Sequence, residues 1–162
     1  MWYDTNSIAI SYLRADGYSV VECTQSQAHR AHKSLSTSHG GVADIAPVGV
    51  RLTPVNIGCQ LTTFECLTAH VLSSASLCVI IVVYRPGLTA VTAAFFTELA
   101  DVLDWLATFA DPIMLIGNVN IQLERSYYPN AVEFCELLDA YGSARPRCHT
   151  RCWWNIGCGV YL

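Results

Sequence analysis

A chain of 162 residues is long enough for one domain with one core. Hydrophobic residues make up 52% and charged residues 14%, which excludes a disordered chain and points to elements buried on two faces. Nine Lys and Arg against thirteen Asp and Glu give a net charge of -4, which argues against strong non-specific nucleic-acid binding but leaves room for carboxylates that hold a metal.

Residues 1–16 carry Asp4, Arg14 and Asp16 and no sustained apolar stretch, so they do not read as a secretory signal. The longest apolar run, residues 77–84, falls well short of the roughly 20 residues that a membrane helix needs. Eight cysteines are present (Cys23, Cys59, Cys66, Cys78, Cys135, Cys148, Cys152 and Cys158), none in Cys-x-x-Cys spacing. The expectation is an intracellular chain with reduced thiols and no membrane span. Cys66 and Cys78 fall inside apolar strand patterns, where a thiol packs as a small hydrophobe.

In chain order, residues 17–23 (GYSVVEC) alternate and carry β-branched side chains, which predicts a strand. Residues 24–39 are polar and read as a loop. Residues 40–50 (GGVADIAPVGV) continue extended, with Pro47 limiting the ladder. Residues 61–72 (LTTFECLTAHVL) alternate over a long stretch. Residues 77–84 (LCVIIVVY) form a continuous apolar run, as expected of a central strand covered on both faces.

A helix is predicted over 91–109, because Phe95, Leu99, Val102, Leu106 and Phe109 recur at helical spacing. Glu98, Asp101 and Asp104 lie on its other side and read as a solvated face. Residues 112–117 (PIMLIG) make a short buried strand, with Asn118-Val119-Asn120 at its end. Pro129 opens a second helix, striped by Phe134, Leu138 and Tyr141 and capped by Gly142. The order strands, helix, strand, helix predicts a layered α/β or α+β domain. Residues 144–162 hold three Arg, three Cys and Trp153-Trp154, with no strand or helix period.

Four segments carry a family resemblance. They are His39-Gly40-Gly41-Val42-Ala43, Val83-Tyr84-Arg85-Pro86-Gly87, Phe95-Phe96-Thr97-Glu98-Leu99 and Ile116-Gly117-Asn118-Val119-Asn120-Ile121. Their order and spacing resemble the endonuclease domain of non-LTR retrotransposon reverse transcriptases. That domain is a branch of the DNase I-like endonuclease/exonuclease/phosphatase superfamily. The resemblance runs from about Trp2 to Gly142 and implies an α+β, DNase I-like four-layer sandwich over residues 1–143. It implies hydrolysis of a phosphodiester with magnesium, DNA as partner, and an intracellular setting with the nucleus among its compartments.

Position by position, Tyr84 falls where the family has an active-site Tyr. Asn120 falls on the Asn of its Gly-Asp-x-Asn motif. Asn118 falls on that motif's Asp and departs from it. In this chemistry the Asp orients and helps deprotonate the attacking water, and a carboxamide cannot take that proton. The family's metal-binding Glu, in an early Glu-Thr-Trp-like segment, has no counterpart before Trp2. No carboxylate matches the metal positions, although magnesium is usually held by one or two.

The expectation is therefore a domain truncated at both ends and inactive as a nuclease. Residues 144–162 are expected to be a divergent tail. His149-Thr150-Arg151 stand where the family has Pro-Thr-His. The codons of Trp153-Trp154, read one nucleotide later, force Gly-Gly, which matches the family's Gly-Gly-Thr-Leu-Asp. The hypothesis is a frame-shifted tail after about His149, rejected if the shifted genomic frame lacks Thr-Leu-Asp.

Plainer readings stand beside these. Asn118 and Asn120 also suit ordinary turn positions, and Tyr84 suits a buried strand aromatic. His29, His32 and His39 lie in a polar loop without ligand spacing, and Cys148, His149, Cys152 and Cys158 do not match a zinc site. Arg145, Arg147 and Arg151 read as a basic tail. Three functional classes follow: a metal-dependent endonuclease, a non-catalytic remnant or weak binding module of the same fold, and a small nucleotide-binding module. The last lacks the glycine-rich phosphate cradle it needs. Missing outer strands would leave sheet edges open, an aggregation hazard.

Overall fold

The computed structural model describes residues 8–24, 41–74, 76–87, 90–123, 125–142 and 160–161. Helix α1 (Ile8–Ala15) leads into strand β1 (Ser19–Thr24), followed by β2 (Gly41–Ala46), β3 (Arg51–Val55), β4 (Glu65–Leu72) and β5 (Leu77–Tyr84). Helix α2 (Ala93–Leu106), strand β6 (Ile113–Asn118), helix α3 (Pro129–Ala140) and strand β7 (Val160–Tyr161) complete the order. His29, His32 and His39, Trp2, and Cys148, His149 and Cys152 with the arginines between 145 and 151 lie outside the described residues.

Two sheets result. Strands β1 and β2 pair antiparallel, and the larger sheet runs β3-β4-β5-β6-β7 with β5 at its centre. The β5–β6 pair is parallel and its neighbours are antiparallel. Helix α2 is the crossover that a parallel pair requires. The apolar run of 77–84 thus occupies the central place predicted for it. Strand β3, which sequence periodicity did not reveal, is an edge strand. Pro54 is tolerated there because an edge position need not donate to a further ladder.

Alternation along β5 divides the interior into two layers. Val79, Ile81 and Val83 face α2 and α3 and pack with Phe64, Phe95, Leu99, Leu103, Leu106, Phe134 and Leu138. Val82 and Tyr84 face the β1–β2 pair and pack with Val21, Val42 and Leu67. Burying each large apolar side chain stabilises by about 1.5–3 kcal/mol, so the helix-side layer dominates. On the far side of β1, Arg14 of α1 bridges to Glu22 at 3.3 Å. Helices, five-stranded sheet, two-stranded sheet and α1 make four layers.

The helices begin and end as their sequences dictate. Pro129 takes the first turn of α3, and Gly142 adopts φ +71 just beyond its end. Helix α2 stops at Leu106, so Phe109 packs on the core from the following turn. The solvated face expected of α2 is corrected in part. Glu98 accepts hydrogen bonds from the backbone N–H and the hydroxyl of both Thr62 and Thr63. That staple holds 62–63 to the helix, so β4 begins at Glu65 and not at 61. Asp104 accepts from the Tyr141 hydroxyl at 2.5 Å, tying the C-terminal parts of α2 and α3 together. From the segment expected to diverge, Val160–Tyr161 pairs with Met114 and Leu115 on the edge of β6.

Candidate functional site

Glu65 opens β4, while β5 and β6 end at Tyr84 and Asn118, so the three meet at one end of the large sheet. In the β4–β5 ladder Glu65 lies opposite Tyr84, and in the β5–β6 ladder Tyr84 lies opposite Asn118. Paired residues share a face of a sheet. Glu65, Tyr84 and Asn118 therefore form a row on the face that β1 and β2 cover. Sequence resemblance placed Tyr84 and Asn118 in one site, and the fold does bring them side by side.

The approach of β6 to β5 depends on Gly117. Its φ is +143, and a Cβ there would lie 1.9 Å from the Val83 carbonyl oxygen. Only glycine fits, and Asn118 takes its place in the row directly after it.

The turn that follows is held from β5. The Arg85 N–H donates to the Asn118 carbonyl at 2.9 Å. Its guanidinium, 2% exposed, donates to the carbonyls of Val119 at 2.6 Å and Asn120 at 2.8 Å. The same group lies 5.9 Å from the Phe95 ring centre. Burial lowers the Arg85 pKa, yet an arginine stays charged throughout the working range.

Asn120 adopts φ +50, a left-handed conformation that asparagine tolerates better than most residues. Its Nδ2 donates to the Arg85 carbonyl at 2.6 Å, and its N–H donates to Asn118 Oδ1 at 2.9 Å. Both asparagines thus have turn roles at the end of β6. The Asn118 oxygen already holds a backbone N–H, and its amide cannot accept a proton from water.

Tyr84 is half-buried. Burial first, and the Glu65 carboxylate second, push its phenol above the ordinary tyrosine range, so it stays protonated and can donate. Glu65 itself is 1% exposed. Farther along the same interlayer, Asp44 shares a face of β2 with Val42 and Ala46. Burial raises its carboxyl to about 6.

Sequence reasoning missed Glu65 and Asp44. Each interrupts an alternation at an inward position, Glu65 before Leu67 and Ala69, Asp44 between Val42 and Ala46. An acidic residue on the apolar phase of a strand was the available signal. That Glu65 faces Tyr84 required the hairpin register as well.

A magnesium site needs oxygen donors with one or two accessible carboxylates. Among the described residues no group of three His, Cys, Asp or Glu side chains comes together. The row offers one deeply buried carboxylate, a neutral phenol and a carboxamide oxygen already engaged by a backbone N–H. This donor set does not fit magnesium.

No protein-family model matches the sequence, and no curated protein matches it. Solved structures do. The human Nocturnin catalytic domain with bound sulfate anion superposes with a TM-score of 0.54 at 18% identity, over 98% of this chain and 64% of that one. D. rerio TDP2 humanised by 14 mutations gives 0.47 at 14% identity, over 94% and 64%. D. rerio TDP2 complexed with single strand DNA product gives 0.47 at 10% identity, over 94% and 65%. The fold is the DNase I-like α+β sandwich, and this chain spans a little under two thirds of the Nocturnin domain, 64% of its length.

Proposed function

We propose that this chain is a DNase I-like phosphodiesterase domain of the non-LTR retrotransposon endonuclease kind that no longer cleaves and acts as a weak nucleic-acid-binding module. The observation that carries the reading is Asn118. It stands in register with Tyr84 where proton abstraction from water would be centred, and it is a carboxamide whose oxygen is held by the Asn120 N–H. The row around it can donate hydrogen bonds to a phosphate through Tyr84. At position 118 itself no group can take a proton from water.

Supporting this, Arg85 and Asn120 keep the turn in a fixed shape, so a binding surface outlasts the chemistry. The free thiols of Cys59 and Cys78 suit the reducing, intracellular setting that the reading implies, nuclear where the DNA is. Incubation of the purified chain with supercoiled plasmid and magnesium tests the proposal. No nicking above a metal-free control is expected, and nicking that grows with enzyme concentration overturns it.

A further inference from the structure

We propose that Arg125, Tyr127 and Tyr128 form a stacking platform for an unpaired nucleobase, beside the Tyr84–Asn118 end of the sheet. The inference rests on the reading of the fold as a nucleic-acid-directed module.

The platform is exposed and built. Tyr127 is 74% exposed and Tyr128 36%, and neither belongs to the core. Their rings meet edge to face, with centroids 4.8 Å apart. The Arg125 guanidinium lies 5.2 Å from the Tyr128 ring centre and hydrogen-bonds the Tyr128 hydroxyl. Backbone bonds fix the segment: the Arg125 N–H donates to Gln122 and the Tyr128 N–H to Arg125. Pro129, the first residue of α3, stiffens it from the other side. Tyr127 thus presents an open aromatic face at little entropic cost on binding.

Topology sets where this face lies. Helix α2 leaves β5 after Tyr84 and α3 leaves β6 after Asn118, so both helices start at the same end of the sheet. The Tyr141–Asp104 bond joins their far portions, which keeps the two helices alongside each other. Arg125 to Tyr128 precede α3 and therefore stand at the end that holds Tyr84, Asn118 and Asn120.

The chemistry selects the ligand. An aromatic face takes any base by its π-surface, and a neighbouring guanidinium takes the phosphate beside it. Bases inside a duplex are already stacked on each other and cannot reach a side chain. The occupant is an unpaired base of a single strand, and a chain of net charge -4 can engage it because stacking needs no broad basic face.

Fluorescence anisotropy with labelled oligothymidylate, against a hairpin duplex of equal length, tests this. Tyr127→Ala is expected to weaken single-strand binding about 5- to 150-fold, the effect of one lost base stack. Tyr127→Trp is expected to retain it, and duplex binding is expected to stay unchanged in both variants. Equal single-strand affinity for Tyr127→Ala and the unaltered chain overturns the platform. Duplex binding without single-strand binding also overturns it, while the proposed function stands. Failure to bind either form rejects both.

Discussion

Arg85 and Asn120 hold each other reciprocally. Arg85 Nη2 donates to the Asn120 carbonyl at 2.8 Å, and Asn120 Nδ2 donates to the Arg85 carbonyl at 2.6 Å. The end of β5 and the turn after β6 are thereby one unit, although 35 residues separate them in the chain.

This unit predicts coupled loss. Arg85→Ala leaves the Val119 and Asn120 carbonyls without their buried donor and is expected to cost about 3 kcal/mol or more. Asn120→Ala loses the Nδ2 bond to the Arg85 carbonyl and places a less tolerant residue at positive φ, for about 2 kcal/mol. The two act on one network, so the double variant is expected to lose less than the sum. Urea denaturation of the single and double variants measures the coupling. Strict additivity would show that the pair does not act as a unit.

Gly117→Ala is the most severe small change to expect. The added Cβ would lie 1.9 Å from the Val83 carbonyl oxygen, a backbone atom that cannot turn aside. Strand β6 would have to leave β5, breaking the parallel ladder that places Asn118 beside Tyr84. Several kcal/mol of destabilisation is expected, read as lost cooperative unfolding by circular dichroism. A melting transition within about 2 °C of the parent would contradict the close approach.

Local pattern made the main frame legible. The helical stripe of Phe95, Leu99, Val102 and Leu106, the apolar run of β5 and the proline and glycine flanking α3 all specify their elements through neighbours in sequence. Strand β3 was not legible, because an edge strand with Pro54 and one half-wet face carries little periodicity. The Thr62–Thr63 staple and the Glu65–Tyr84 pairing were not legible either. Both are set by partners far away in the chain, and alternation alone gives no register. Motif resemblance pointed to Tyr84, Asn118 and Asn120, which the fold brings to one end of the sheet, but nothing local showed that Arg85 binds the turn together.

Stability is expected to depend on pH through two carboxyls of opposite sense. Asp44 sits among Val21, Val42 and Ala46, with its Oδ2 lacking a hydrogen-bond partner among the described residues. Its folded-state value of about 6 lies above its ordinary 3.8, so folding is penalised once the group must ionise. The penalty is absent below about pH 4 and complete above about pH 6, where it reaches roughly 3 kcal/mol. Asp44→Val is expected to stabilise the chain by about 2 kcal/mol near neutral pH and by much less near pH 4. A pH-independent gain would mean that packing, not ionisation, is the cause.

Glu98 runs the other way. Burial acts to raise its pKa, but the bonds from Thr62 and Thr63 outweigh it and hold the carboxyl below the usual 4.5. Its stabilising effect is present above that value and fades as pH falls through the lowered one. The group is partly exposed, so Glu98→Ala is expected to cost about 1 kcal/mol at neutral pH. The cost should shrink in acid. Denaturation of this variant and Asp44→Val across the same pH series should give trends of opposite slope.

Asn118→Asp separates the missing proton acceptor from the missing metal donors. A carboxylate at 118 can still accept the Asn120 N–H, so the turn is expected to keep its shape and the melting temperature to change little. It would restore a group able to orient a water and take its proton. It would not supply the remaining oxygen donors, because Glu65 is buried and no group of three metal-binding side chains exists among the described residues. Plasmid nicking by Asn118→Asp in magnesium is therefore expected to stay at the level of the unaltered chain. Robust cleavage by this one change would mean that the donors are sufficient after all, and that Asn118 alone had silenced the site.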